Sequence, residues 1–175
     1  MNARDLIASL SLLALWVTGC SLTGEFVRPS GAGGADASAT RPATVLTGAA
    51  AFGPRVAQLA RAQLGAPYRF GGSSPAGFDC SGLVTYVLAQ VGATAPRTAA
   101  EQKAAARAIP LDSVRPGDLL FFSTSGAAID HVAIYVGDGL FVHAPRSGRS
   151  VEIARLDDSW YAQRFVAAGR LWLEQ

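Results

Sequence analysis

The sequence predicts an α+β domain, and a change of period along the chain predicts it. Between Phe52 and Arg107 apolar residues recur at helical spacing, whereas from Pro116 onward they alternate or run in short blocks bounded by glycine turns. That order implies N-terminal helices packed on an antiparallel sheet of about five strands. Half of the 175 residues are hydrophobic, enough for one domain of ordinary size with chain left over for a tail.

The first elements belong to the tail. Met1 to Gly19 has Arg4 near its start, the apolar run Leu6 to Val17 and small residues at its end, the layout of an export signal. The run falls short of the roughly 20 apolar residues that a membrane helix needs. Val17-Thr18-Gly19-Cys20 resembles the lipobox of bacterial lipoproteins, where cleavage leaves the cysteine as an acylated first residue. An ordinary signal peptide followed by a free thiol is the alternative. The lipobox implies a membrane partner reached through lipid on Cys20, and Ser21 in place of aspartate implies the periplasmic face of a Gram-negative outer membrane. From Ser21 to about Ala50, Gly, Ala, Ser, Thr and Pro dominate without apolar periodicity, which reads as a flexible tether with a mean span of roughly 30 Å. The expected organisation is therefore a signal segment over 1–19, a lipidated linker over 20–50 and a folded domain over 51–175.

Within the domain, Val56, Leu59, Ala60, Gln63 and Leu64 lie at helical spacing, Pro54 suits a first turn and Gly65 a stop. Paired glycines, Gly71-Gly72, mark a turn before a second helix expected from Cys80 to about Val91, with Asp79 as N-cap and Gly92 as stop. Thr98 to Arg107 reads as a third helix. Strands are expected at Leu119–Phe122, His131–Val136, Gly139–His143, Val151–Ile153 and Phe165–Trp172, with a helical turn near Asp157 to Tyr161. No internal repeat is present.

Composition excludes one class of partner. The net charge of +2 is scattered, with no basic run and Lys103 as the sole lysine, so nucleic-acid binding has no compositional support. The two cysteines, Cys20 and Cys80, could form one disulfide, but each has its own explanation. Cys80 stands at a predicted helix start, where the partial positive charge favours thiolate, the nucleophilic form. Taken alone it reads more readily as a small buried residue.

The two histidines change that balance. Period-two alternation puts His131, Ala133 and Tyr135 on one strand face, and His143 shares a face with Phe141. If the Gly137-Asp138-Gly139 turn joins these strands as a hairpin, both histidines lie together at its open end. A thiol needs a base, and the base needs a partner that fixes its tautomer; Cys80, His131 and His143 supply all three. The same three side chains would in number suffice for a catalytic zinc site, a less economical reading.

Five motifs then resemble, in order and spacing, those of the NlpC-type cell-wall peptidase family: Pro67-Tyr68-Arg69-Phe70-Gly71-Gly72, Phe78-Asp79-Cys80-Ser81-Gly82-Leu83-Val84, Pro116-Gly117-Asp118-Leu119, Asp130-His131-Val132-Ala133-Ile134-Tyr135-Val136-Gly137, and His143-Ala144. The order and spacing agree over roughly residues 52 to 175, and the arrangement is similar to the Spr-like lipoprotein branch. The resemblance implies a papain-like fold with Cys80 as nucleophile, His131 as base and His143 as the third polar residue. It also implies that Tyr68 helps hold an oxyanion and that Asp79 and Ser81 support the nucleophile. Pro96-Arg97-Thr98 with Gln102 looks familial too, although Arg97 and Gln102 read equally as helix-surface residues.

The implied reaction is cofactor-free amide hydrolysis, and the implied substrate is peptidoglycan stem peptide. The Spr-like branch points to the D-alanyl to meso-diaminopimelate cross-link; the γ-D-glutamyl to meso-diaminopimelate bond is the alternative within the class. A non-catalytic lipoprotein that binds the wall or recruits a wall enzyme is the alternative outside it. Cutting a load-carrying polymer also implies restraint by abundance, location or a regulatory protein partner.

Overall fold

The computed structural model describes residues 49–172. Cys20, the export signal and most of the tether therefore lie outside the described residues. Helix α1 (Ala49–Arg61) is followed by a two-stranded ribbon, β1 (Ser73–Ser74) with β2 (Gly77–Phe78), and by α2 (Cys80–Ala89) and α3 (Ala99–Ala105). Then come β3 (Arg107–Ile109), a 3-10 turn at Leu111–Ser113, β4 (Leu119–Phe122), β5 (His131–Gly137), β6 (Leu140–His143), β7 (Glu152–Arg155), α4 (Ser159–Ala162) and β8 (Phe165–Arg170). The main sheet is antiparallel with strand order β3-β8-β4-β5-β6-β7.

The α+β prediction holds, and the sheet has six strands where about five were expected. The additional strand, β3, begins at Arg107, which the sequence placed at the end of a helix. Helix α3 stops at Ala105, because Ala106 turns to extended backbone (φ −78°, ψ 138°) and Arg107 to Ile109 pair with Arg170 to Ala168. Its start is fixed by a capping box, with the Thr98 hydroxyl and Glu101 carboxylate each bonding the other's backbone N–H. Pro54 lies inside α1, which starts at Ala49, and β7 is shifted toward Arg155 relative to the expected Val151–Ile153.

Strand β5 is buried on both faces, and this positions the site. Val132 and Ile134 pack with Leu119, Phe121 and Val142 against Val56 and Ala60 of α1 and Leu83, Val84, Val87 and Leu88 of α2. Full burial of each such aliphatic side chain contributes roughly 1.5–3 kcal/mol. Ala133 faces the other way, into a smaller cluster with Leu120, Phe122, Phe141 and Ala168, which Tyr161 of α4 partly covers. The helix layer thus carries Cys80 to the start of β5, and the opposite face of the sheet carries the histidines.

Candidate active site

Local chemistry explains why a helix begins at Cys80. Asp79, in extended backbone, accepts from the Gly82 amide at 2.7 Å through Oδ1, and its Oδ2 accepts from the Gly71 amide at 2.9 Å. Gly82 must be glycine: a Cβ there would lie 2.0 Å from the Gly72 carbonyl oxygen. The paired-glycine turn and the helix start are therefore pressed together. Arg97 clamps the same carboxylate with two nitrogens, at 2.6 and 3.0 Å, and donates to Ser81 Oγ at 3.0 Å. Arg97 and the Gly71 and Gly82 amides hold the Asp79 carboxyl below its usual range against the opposing effect of burial.

The hairpin prediction is met in detail. Gly137, Asp138 and Gly139 all adopt positive φ (98°, 56° and 72°) and turn β5 into β6. Tyr135 pairs with Phe141 and Ile134 with Val142, so His143 continues the register opposite Ala133, diagonal to His131 on the same face. His131 Nε2 lies 2.9 Å from His143 Nδ1. Two ring nitrogens facing each other at that distance are within hydrogen-bonding reach, and the gap is too short for a zinc ion between them. His143 Nε2 faces Tyr161 Oη at 3.2 Å and Glu152 Oε1 at 3.5 Å.

Cys80, His131, His143 and Tyr68 line one groove together with Trp160 and Tyr161. The Cys80 sulfur is 4.0 Å from the Asp130 carbonyl oxygen, next to His131 in the chain. A second groove runs past Tyr68, Phe70, Cys80 and Arg97. Asp79 and Ser81 are buried beneath it, and both Asp79 oxygens are already engaged.

Electrostatics modify one expectation. Burial raises the Cys80 thiol above its ordinary value and the nearby Asp79 charge adds to this, outweighing the backbone N–H groups at Val132 and the helix start. Burial likewise pushes His131 down to about 4 and His143 to about 3. The free site therefore holds a neutral thiol beside neutral imidazoles at pH 7. Burial also raises Tyr68, with Cys80 and Asp79 adding to the effect, so its hydroxyl stays a donor.

Arg97 and Gln102 are more than surface residues. Gln102 is fully buried and its Nε2 donates to the Ser81 and Pro96 carbonyls, tying α3 to the first turn of α2. Tyr161 and Glu152 are site residues that sequence reasoning missed altogether. They reach His143 from α4 and β7, and no short-range pattern marks them.

A papain-like α+β domain with a helix-start cysteine beside a paired-histidine hairpin is the class these features define. A family profile described as the NlpC/P60 family matches residues 65–170, and the chain belongs to that family. It is 44% identical over 114 residues to murein DD-endopeptidase MepH of Escherichia coli K12, covering 62% of this chain and 42% of that protein. It is 42% identical over 113 residues to a gamma-D-glutamyl-L-lysine dipeptidyl-peptidase of Bacillus subtilis 168, covering 63% of this chain and 38% of that one. The chain thus spans about two fifths of the length of these relatives. Among solved structures, an NlpC/P60 family protein from Bacillus cereus ATCC 10987 superposes with a TM-score of 0.65 at 35% identity, over 68% of this chain and 40% of that one. The NlpC/p60 domain of the peptidoglycan hydrolase SagA superposes with a TM-score of 0.59 at 36% identity, over 67% of this chain and 97% of that domain.

Proposed function

We propose that this protein is a cysteine-type peptidoglycan endopeptidase that hydrolyses the D-alanyl to meso-diaminopimelate cross-link. The observation that carries the reading is the 2.9 Å contact between His131 Nε2 and His143 Nδ1 in the groove that holds Cys80. When His131 donates from Nε2 to His143, it keeps Nδ1 as its basic nitrogen.

In this mechanism Cys80 Sγ attacks the scissile carbonyl carbon as its proton passes to His131 Nδ1. Transfer accompanies attack, because burial disfavours a resting thiolate–imidazolium pair. The Cys80 backbone N–H and the Tyr68 hydroxyl hold the oxyanion. The imidazolium returns the proton to the leaving amine, and the C–N bond breaks to leave a thioester. Water, deprotonated by His131, then releases the acid and restores the thiol.

Both named relatives are peptidases, and the bonds in their names differ at nearly equal identity. The choice of the cross-link rests on the resemblance to the Spr-like branch. Mass spectrometry of muropeptides released from purified sacculi tests it. Loss of cross-linked dimers with gain of monomers supports the cross-link reading, shortened stems indicate the γ-D-glutamyl bond, and no product from folded protein indicates a wall-binding role.

The reading extends to a lipid tether at Cys20 that holds the domain at the periplasmic face of the outer membrane, supported by Val17-Thr18-Gly19-Cys20 and Ser21. Incorporation of labelled palmitate that is lost in Cys20→Ala is the expected result; equal labelling of both proteins contradicts it.

A further inference from the structure

The direction of the proton between the histidines decides whether the site can work, and the histidines do not set that direction by themselves. If His131 Nε2–H donates to His143 Nδ1, His131 presents a free Nδ1 lone pair to the thiol. If His143 Nδ1–H donates instead, His131 must carry its proton on Nδ1 and cannot act as base. The two arrangements differ at the far side of His143. In the first, Nε2 of His143 carries a hydrogen; in the second it is bare.

Two groups face that nitrogen. The Tyr161 hydroxyl, 3.2 Å away, either donates or accepts and so favours neither arrangement by itself. The Glu152 carboxylate, 3.5 Å away through Oε1, only accepts, and its other oxygen is paired with Arg149. His143 is buried, with a side chain 1% exposed, while Glu152 is 27% exposed at the groove, so the ring has no water of its own to compete with the acceptor that reaches its outer nitrogen. Phe141 packs against the ring and offers no competing donor.

We propose that Glu152, assisted by Tyr161, is a positioning residue that holds His143 in its Nε2–H tautomer and thereby gives His131 its basic Nδ1. The inference rests on the catalytic reading of Cys80 and His131, and its first test needs no substrate. Nitrogen NMR of the full chain with labelled histidine is expected to show both His131 and His143 protonated on Nε2 at neutral pH. A wild-type His143 protonated on Nδ1 overturns the proposal, whatever the protein's activity.

The second test compares Glu152→Gln with Tyr161→Phe. The amide can turn a donor toward His143, so Glu152→Gln is expected to move both rings toward Nδ1–H. If one molecule in ten keeps the competent tautomer, kcat and the rate of Cys80 alkylation by iodoacetamide fall about tenfold, with KM little changed. Tyr161→Phe leaves the carboxylate in place and is expected to keep the wild-type tautomers. A folded Glu152→Gln protein with wild-type tautomers and alkylation rate contradicts the assignment.

Discussion

His131 and His143 meet edge to face, their ring planes 82° apart and Nε2 to Nδ1 at 2.9 Å. Strands β5 and β6 fix this pairing, so each ring is held by a different strand of one hairpin. A single proton between the rings makes them one acid-base unit with unequal parts. In the proposed mechanism His131 takes the proton of the thiol, and His143, which shares the groove with both, acts through His131.

Unequal parts give unequal losses. His131→Ala is expected to lower kcat by about 10²- to 10⁴-fold, the usual range for a removed general base. His143→Asn, which keeps an acceptor for His131 Nε2–H, is expected to lose less. Steady-state kinetics on a cross-linked muropeptide checks the order, and a His143→Asn protein weaker than His131→Ala contradicts it.

Stability is expected to rise with pH between about 4 and 6.5. His131 and His143 are pushed down in the fold to about 4 and about 3, from ordinary values near 6.5. Over that window the unfolded chain binds more protons, so the native state gains up to about 1.4 kcal/mol per pH unit from each histidine as pH increases. That stability is fully present above 6.5 and is lost as pH falls toward the folded values. Urea unfolding at several pH values measures the slope, and a flat profile over the window contradicts the burial account. The acid limb of kcat/KM is expected below 6.5 for the same reason.

Much of the site was legible because its signals are local. Asp79 before an apolar helical run, a Gly-Asp-Gly turn and period-two alternation around His131 and His143 each act over a few residues. The remainder depends on distant partners. Arg107 to Ile109 are strand only because β8 offers a free edge more than 50 residues later, and Arg97 matters because the fold carries it to Asp79. Glu152 and Tyr161 converge on His143 from two later elements. The thiol's raised pKa depends on burial, which a helix-start argument does not register.

Gly82→Ala is expected to destabilise the fold and inactivate the site together. Its Cβ would press on the Gly72 carbonyl at 2.0 Å and on Asp79 Oδ1 at 2.9 Å, so the first turn of α2 must shift. The nearest atom is backbone and cannot swing aside as a side chain can, so the cost is expected at or above the ~1–3 kcal/mol typical of overpacking. A denaturation midpoint equal to wild type contradicts the close approach.

The ion pair between Asp118 and Arg170 anchors β4 to β8 away from the groove. Arg170 Nε and Nη2 donate to the two Asp118 oxygens at 2.6 and 2.8 Å, and both residues are buried. Asp118→Ala leaves a buried guanidinium without its carboxylate and is expected to cost about 3–5 kcal/mol. Thermal unfolding measures this, and a loss below 1 kcal/mol contradicts the assigned role.

The most direct test of the central claim compares wild type with Cys80→Ala on purified sacculi, with the released muropeptides read by mass spectrometry. Wild type is expected to convert cross-linked dimers to monomers, while the variant, with an unchanged melting profile, releases nothing above background. Equal product from both proteins would show that Cys80 is not the nucleophile.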